Sequence, residues 1–295
     1  MTNKMKKNKG LWLLGAILMA LGFGACSDQW EADVPTFLVI DEFEFSTVDT
    51  QGSASSFIRD VWLYENNEFL GAYELPATIP IIGEGERRVT LFPGIREDGS
   101  SERPRLLFLY DTDTFSYTAQ AGEEIHYTPS TTYDERTRFS FIEGFEDGNL
   151  FTADFDGQDT SGMTRTTENV FEGNFSGKIT VTDSFPVAVV GTAEAYGPFL
   201  ERGTQVFFEF DYNCNVPTTI GYLGLNAQGL QVDFLKVTLF PTEGWRKAYI
   251  NFSEEFRLDQ VVAAQMIIRV DLDGRFGTSS ESGEALFDNL KLIHF

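Results

Sequence analysis

Residues 206–213 read Val-Phe-Phe-Glu-Phe-Asp-Tyr-Asn. In an extended chain Phe208 and Phe210 fall on one side, and Glu209, Asp211 and Asn213 on the other. Alternation of rings and acids at period two marks a strand with one face against a core. The stretch Met266-Ile-Ile-Arg-Val-Asp-Leu272 reads the same way. Met266, Ile268, Val270 and Leu272 face inward, while Arg269 and Asp271 face outward. If the strands lie side by side, Tyr222 and Asn226 join them. The expected ligand-binding face is then Glu209, Asp211, Asn213, Tyr222, Asn226, Arg269 and Asp271. An ordinary solvated sheet face is the alternative.

The same rhythm extends toward the N-terminus. Phe57-Ile-Arg-Asp-Val-Trp-Leu-Tyr64 alternates, Asn66-Asn67 suits a tight hairpin turn, and Phe69-Leu-Gly-Ala-Tyr73 returns. Arg87 to Phe92 leads into Pro93-Gly94, a turn signal. Arg105 to Tyr110 and Glu124 to Tyr127 are further strand candidates. Strands at this spacing without helical periodicity predict an antiparallel sandwich over 36–138. The pattern resembles immunoglobulin-like or transthyretin-like modules of exported proteins.

The second half carries sharper landmarks. It opens on Phe141-Ile-Glu-Gly-Phe-Glu-Asp-Gly148 and continues through Asn174-Phe-Ser-Gly-Lys178 and Gly244-Trp-Arg-Lys-Ala-Tyr249. It closes on Ala285-Leu-Phe-Asp-Asn-Leu-Lys-Leu-Ile293. In that order the fragments resemble the jelly-roll of carbohydrate-binding modules and galactose-binding-like domains, over 139–295. The resemblance implies an all-β chain of two sandwiches, with a glycan or extracellular polymer as ligand of the second. It also implies a structural calcium, held by carboxylates of Glu146 and Asp288 and by backbone carbonyls near Ser176 and Gly177. Glu143 is a rival for Glu146. Such a mixed oxygen set suits calcium and would staple the first strand to the last.

The start of the chain speaks to location. Lys4, Lys6, Lys7 and Lys9 precede an uncharged run of about 13 residues, Leu11 to Phe23. That is shorter than the roughly 20 residues of a membrane-spanning helix and fits a secretory signal over 1–25. Gly22, Gly24, Ala25 and then Cys26 resemble a bacterial lipobox, with Phe23 where Leu is usual. The resemblance implies acylation of Cys26. Ser27, Asp28, Glu31 and Asp33 are similar to the acidic export tag of Bacteroidota surface lipoproteins. The expectation is a lipid-anchored outer-membrane protein at the cell surface, with residues 26–35 as a tether. A plain signal with a chance cysteine is the alternative.

Formal charge excludes one class of partner. The chain of 295 residues has 22 Lys and Arg against 45 Asp and Glu, a net −23. Loss of residues 1–25 removes four lysines and no acids, giving −27. Nucleic-acid binding rests on lysine and arginine against phosphate, so no nucleic acid is expected. With Cys26 acylated, Cys214 has no partner in the chain and reads as a small buried hydrophobe. Only two histidines are present, and no Gly-x-Ser-x-Gly elbow, His-Glu-x-x-His or phosphate loop occurs. No enzyme is expected. A structural accessory subunit of an outer-membrane uptake or secretion complex is the second functional reading.

Overall fold

The computed structural model describes residues 33–99, 104–157, 162–199, 204–272 and 281–295. The signal segment 1–25, Cys26 and most of the tether lie outside the described residues. Among the described residues two short helical turns, Asp49–Gln51 and Ser253–Leu258, interrupt an otherwise all-β arrangement. It forms two β-sandwiches.

In the first sandwich, Thr36–Ile40 pairs antiparallel with Ala77–Ile81 and parallel with Glu124–His126. The facing sheet runs Glu68–Glu74, Asp60–Glu65, Gly85–Arg96, Pro104–Leu106, with Asp113–Ala119 also on Gly85–Arg96. Leu38, Ile40, Val61, Leu63, Val89 and Leu91 are wholly buried between the sheets. Of the two faces of the alternating stretch 57–64, the one with Val61 and Leu63 enters the core, and Trp62 on the other face is only partly buried. Asn66 and Asn67 make the hairpin turn with φ of 49° and 68°, a left-handed pair that asparagine tolerates. Pro93-Gly94 is different. The expected turn is absent, and the strand runs through both residues to Arg96. Pro93 stands opposite Val61 and Gly94 opposite Asp60. A Cβ on Gly94 would lie 2.9 Å from side-chain atoms of Asp60 and Trp62. The glycine there serves close strand packing and not a reversal.

The second sandwich is the jelly-roll. Its inner sheet runs Thr164–Thr166, Ser176–Thr182, Ser282–His294, Val206–Cys214, Arg246–Asn251, with Arg138–Glu143 on the far end of Ser282–His294. Its outer sheet runs Ala153–Asp154, Val187–Gly191, Val261–Asp271, Thr218–Asn226, Gln231–Leu239. Phe145, Phe151, Phe208, Phe210 and Phe287 are fully buried between them. Each such ring contributes roughly 1.5–3 kcal/mol relative to an exposed one. Cys214 is buried beside them, and burial pushes its thiol up to about 11. No reactive thiolate forms at neutral pH.

The sandwiches are joined through a third cluster. The strand expected over 105–110 ends at Leu106, and the chain turns. Leu107, Leu109 and Tyr110 pack with Tyr133 onto Phe207, Tyr249 and Ile293 of the inner sheet. Beyond Arg96 the first sandwich continues along the inner sheet's edge: Glu97 bridges Tyr249, and the Asp98 N–H donates to the Tyr249 carbonyl at 2.8 Å. The outward face of the inner sheet is thus covered by protein.

Candidate functional site

That cover changes the meaning of the acids at 209 and 211. The alternation holds, because Phe208 and Phe210 enter the core while Glu209 and Asp211 point away. The expectation of an open face does not hold. Glu209 is 0% exposed and Asp211 1%. Glu209 lies 3.5 Å from Lys291 and 3.8 Å from Lys247, and accepts a hydrogen bond from the Tyr133 hydroxyl. Asp211 accepts from Ser55 Oγ at 2.8 Å and Asn289 Nδ2 at 3.1 Å, with Lys247 Nζ at 3.6 Å. Lys291 donates to the Ser53 carbonyl at 2.6 Å and to Tyr133 at 3.0 Å. The Phe57 N–H donates to the Tyr249 hydroxyl at 2.8 Å. Buried charges persist only when paired and hydrogen-bonded, and here the two sandwiches supply each other's partners.

Titration follows the burial. Desolvation raises the Tyr110 and Tyr133 hydroxyls well above their ordinary value, and the Glu209 charge adds to it. Desolvation raises Asp211 against the opposing pull of Lys247. It lowers Lys291 against the pull of Glu209.

The remaining expected residues do not converge. Val206–Cys214 and Thr218–Asn226 are consecutive strands, but the chain crosses between sheets at 215–217, so they lie in opposite layers. Asn213 accepts from Thr242 Oγ1 at 3.2 Å on the inner sheet. Tyr222 is wholly buried, shares the parity of buried Ile220, and donates to Asp259 at 2.8 Å. Its place in the core corrects the expected outward position. Asn226 Oδ1 accepts the N–H groups of Gln228 at 3.0 Å and Leu230 at 2.8 Å, fixing a turn. Arg269 and Asp271 pair at 2.7 Å beside a separate outer-sheet recess of about 260 Å³.

The expected calcium ligands gather about the 172–176 loop, each with hydrogen-bond partners of its own. Glu146 accepts from the Asn174 N–H, the Phe175 N–H and Asn174 Nδ2, at 2.7, 3.0 and 3.0 Å. These donors hold its carboxyl below the usual range. Asp288 accepts from Ser176 Oγ at 2.7 Å and the Asn289 N–H at 2.8 Å. Gly177 packs against Phe145 and Met163. The rival Glu143 accepts the N–H groups of Phe145 at 2.5 Å and Leu150 at 2.6 Å. Among the described residues no three His, Cys, Asp or Glu are placed to hold a metal. N–H and O–H donors occupy these carboxylates, and the hydrogen bonds tie the opening segment and the closing strand to the 172–176 loop. A chelator such as EDTA is expected to leave the melting temperature unchanged. A chelator-induced drop of several degrees that calcium reverses would restore the metal.

Where the sandwiches part, they leave a cleft of about 580 Å³. Ser55, Ser56, Phe57, Arg59, Glu74 and Arg96 line one side. Phe171, Asp211, Tyr212, Trp245, Arg246 and Lys247 line the other. Trp245 and Phe171 have ring centroids 5.4 Å apart, and the indole N–H donates to Asn169 at 3.2 Å. Opposite them Arg96 binds Asp60 at 2.6 Å, and Arg59 binds Glu74. Of the expected ligand-binding residues only Asp211 reaches this cleft. Reading single strands missed Trp245, Phe171 and the arginines, because they meet only across the joint. One signal was available: Lys291 stands in Leu-Lys-Leu within an apolar closing strand, and a lysine there demands a buried acid.

No family model matches this chain, and no curated protein matches it. Several solved carbohydrate-binding modules are similar to it at low TM-score. The CBM22-1 xylan-binding domain of Xyn10C from Paenibacillus barcinonensis shows 10% identity over 55% of this chain and 97% of that one, at TM-score 0.37. A family 30 carbohydrate-binding module shows 12% identity over 53% and 97%, also at 0.37. A carbohydrate-binding module of the β-sandwich superfamily shows 16% identity over 89% and 99%, at 0.36.

Proposed function

We propose that the protein is a non-catalytic outer-membrane lipoprotein at the cell surface that binds a glycan in the cleft between its sandwiches. Acylated Cys26 is the anchor, 26–35 the tether, and 36–138 and 139–295 the two modules. The supporting observation is the Trp245–Phe171 wall facing a polar floor of Ser55, Ser56 and Asp211. A sugar ring has an apolar C–H face and a rim of hydroxyls, and suits a site built from aromatic area and a few placed polar groups. Among the described residues the two carboxylates that line the cleft are both engaged, which supports binding without turnover. Hydrolysis of glycosides uses two carboxyl groups flanking the bond, whereas Asp211 is held by Ser55 and Asn289, and Glu74 by Arg59.

The test is affinity electrophoresis and calorimetry over a panel of neutral and acidic polysaccharides. Trp245→Ala is expected to weaken binding about tenfold, the equivalent of 1.4 kcal/mol, with little change in melting temperature. Arg269→Ala, on the opposite sheet, is expected to bind as the parent does. Equal loss in both variants would remove the cleft from the account.

One observation favours the second reading. Leu225 at the end of Thr218–Asn226, and Leu230, Phe234, Leu235 and Phe240 along the edge strand Gln231–Leu239 and beside it, are exposed by 39–63%. Apolar side chains gathered at an unpaired edge suit a protein partner, here an outer-membrane uptake or secretion complex. Co-purification with a β-barrel from detergent-solubilised membrane, with no polysaccharide retained, would establish that reading instead.

A further inference from the structure

The cleft is cationic in a chain that is overwhelmingly acidic. Arg59, Arg96, Arg246 and Lys247 line it, against Glu74 and Asp211. The whole chain has only 22 such cations against 45 acids. Matching each cation to its nearest carboxylate leaves one over. Arg96 faces Asp60, Arg59 faces Glu74, and Lys247 faces Asp211. Arg246 is exposed and has no ion-pair partner among the described residues.

Two of these cations also carry unused donors. The Lys247 side chain is 3% exposed, and its Nζ has no hydrogen-bond partner among the described residues. Asp211 and Glu209, at 3.6 and 3.8 Å, are ion contacts beyond good hydrogen-bond range. Arg59 Nε is likewise buried with no partner among the described residues. An ammonium has three donors, and leaving buried ones unmet is costly. Arg246 and Lys247 open the edge strand Arg246–Asn251, and both line the cleft beside Trp245.

From the excess cation and the unmet donors we infer that the cleft selects a glycan bearing carboxylates, a uronate-containing polymer, over a neutral one. This rests on the glycan reading above. The sugar ring lies against Trp245 and its carboxylate meets Arg246 and Lys247. A carboxylate supplies acceptors for both groups and cancels the surplus charge. A hydroxyl supplies an acceptor but leaves the charge. Charge-assisted bonds to a carboxylate are the stronger kind.

The experiment is calorimetry of the protein with oligogalacturonate, with the same oligomer fully methyl-esterified, and with alginate and glucuronoxylan. Neutral galactan and xylan oligomers run beside them. Esterification removes the charge and keeps the ring. At least one acidic glycan is expected to bind about tenfold tighter than its neutral counterpart. Arg246→Gln, a rim substitution outside the buried ion network, is expected to bring the ratio of acidic to neutral affinity down to about one. Trp245→Ala is expected to weaken acidic and neutral forms alike. Equal affinity for acidic and neutral forms, or binding confined to neutral glycans, overturns the inference and leaves the glycan reading standing. An acid preference untouched by Arg246→Gln also overturns it. No binding to any glycan on the panel fails the glycan reading, and the inference falls with it.

Discussion

Lys291→Met is expected to lose about 3–5 kcal/mol of folding stability, the usual cost of removing one partner from a buried ion pair. The substitution keeps the length and apolar stem of the side chain, so little packing changes. What it removes is the ammonium 3.5 Å from Glu209, and with it the donors to the Ser53 carbonyl and the Tyr133 hydroxyl. Glu209 then remains wholly buried with Lys247 at 3.8 Å and the tyrosine hydroxyls as its remaining support. The double variant Lys291→Met with Glu209→Leu is expected to recover most of the loss, because the orphaned charge is gone. Replacing a buried pair by apolar residues is often close to neutral. The contacts with Ser53 and Tyr133 bridge the sandwiches, so the single variant is also expected to separate their unfolding into two steps. Urea denaturation followed by two probes measures both effects. A single variant within 1 kcal/mol of the parent would show that the pair adds nothing.

Asp288→Asn is expected to change how stability depends on pH. Burial raises the Asp288 carboxyl to about 6, against roughly 3.9 in an unfolded chain. Between those values the folded state holds the proton and the unfolded state does not. The folded chain therefore binds more protons, and stability falls as pH rises through the folded pKa. The contribution is fully present below the unfolded value and gone above the folded one. Its full size is about 3 kcal/mol, two units at 1.36 kcal/mol each. From pH 5 to pH 8, about 1.4 kcal/mol of it is lost. Asparagine is neutral throughout and keeps an acceptor for the Asn289 N–H. The variant is accordingly expected to show a flatter profile, with its largest relative gain at pH 8. Denaturation at pH 5, 6, 7 and 8 decides it. Parallel profiles for parent and variant would mean that Asp288 titrates normally.

The two sites divide differently between sequence and tertiary structure. Strand identity was legible, since period-two alternation is a local property of the extended chain. Residues 206–213 and 266–272 show which side chains enter the core, and Asn66-Asn67 shows a turn. Pro93-Gly94 misled because the same dipeptide serves a turn or a close strand crossing, and only the neighbouring Asp60 and Trp62 distinguish them. Tyr222 misled because an amphipathic ring can take either side. Its parity with Ile220 was the better guide.

By its own pattern, then, the chain determined an all-β architecture and the inward and outward sense of the strands at 206–213 and 266–272. Those follow from backbone geometry acting over a few residues. Tertiary structure alone decided what lies against the outward side. The first sandwich covers Glu209 and Asp211, the crossing at 215–217 places Tyr222 and Arg269 in the opposite sheet, and the gap at the joint gathers Trp245, Arg246 and Arg59. These are contacts between residues far apart in the chain, and no local periodicity encodes which surface meets which.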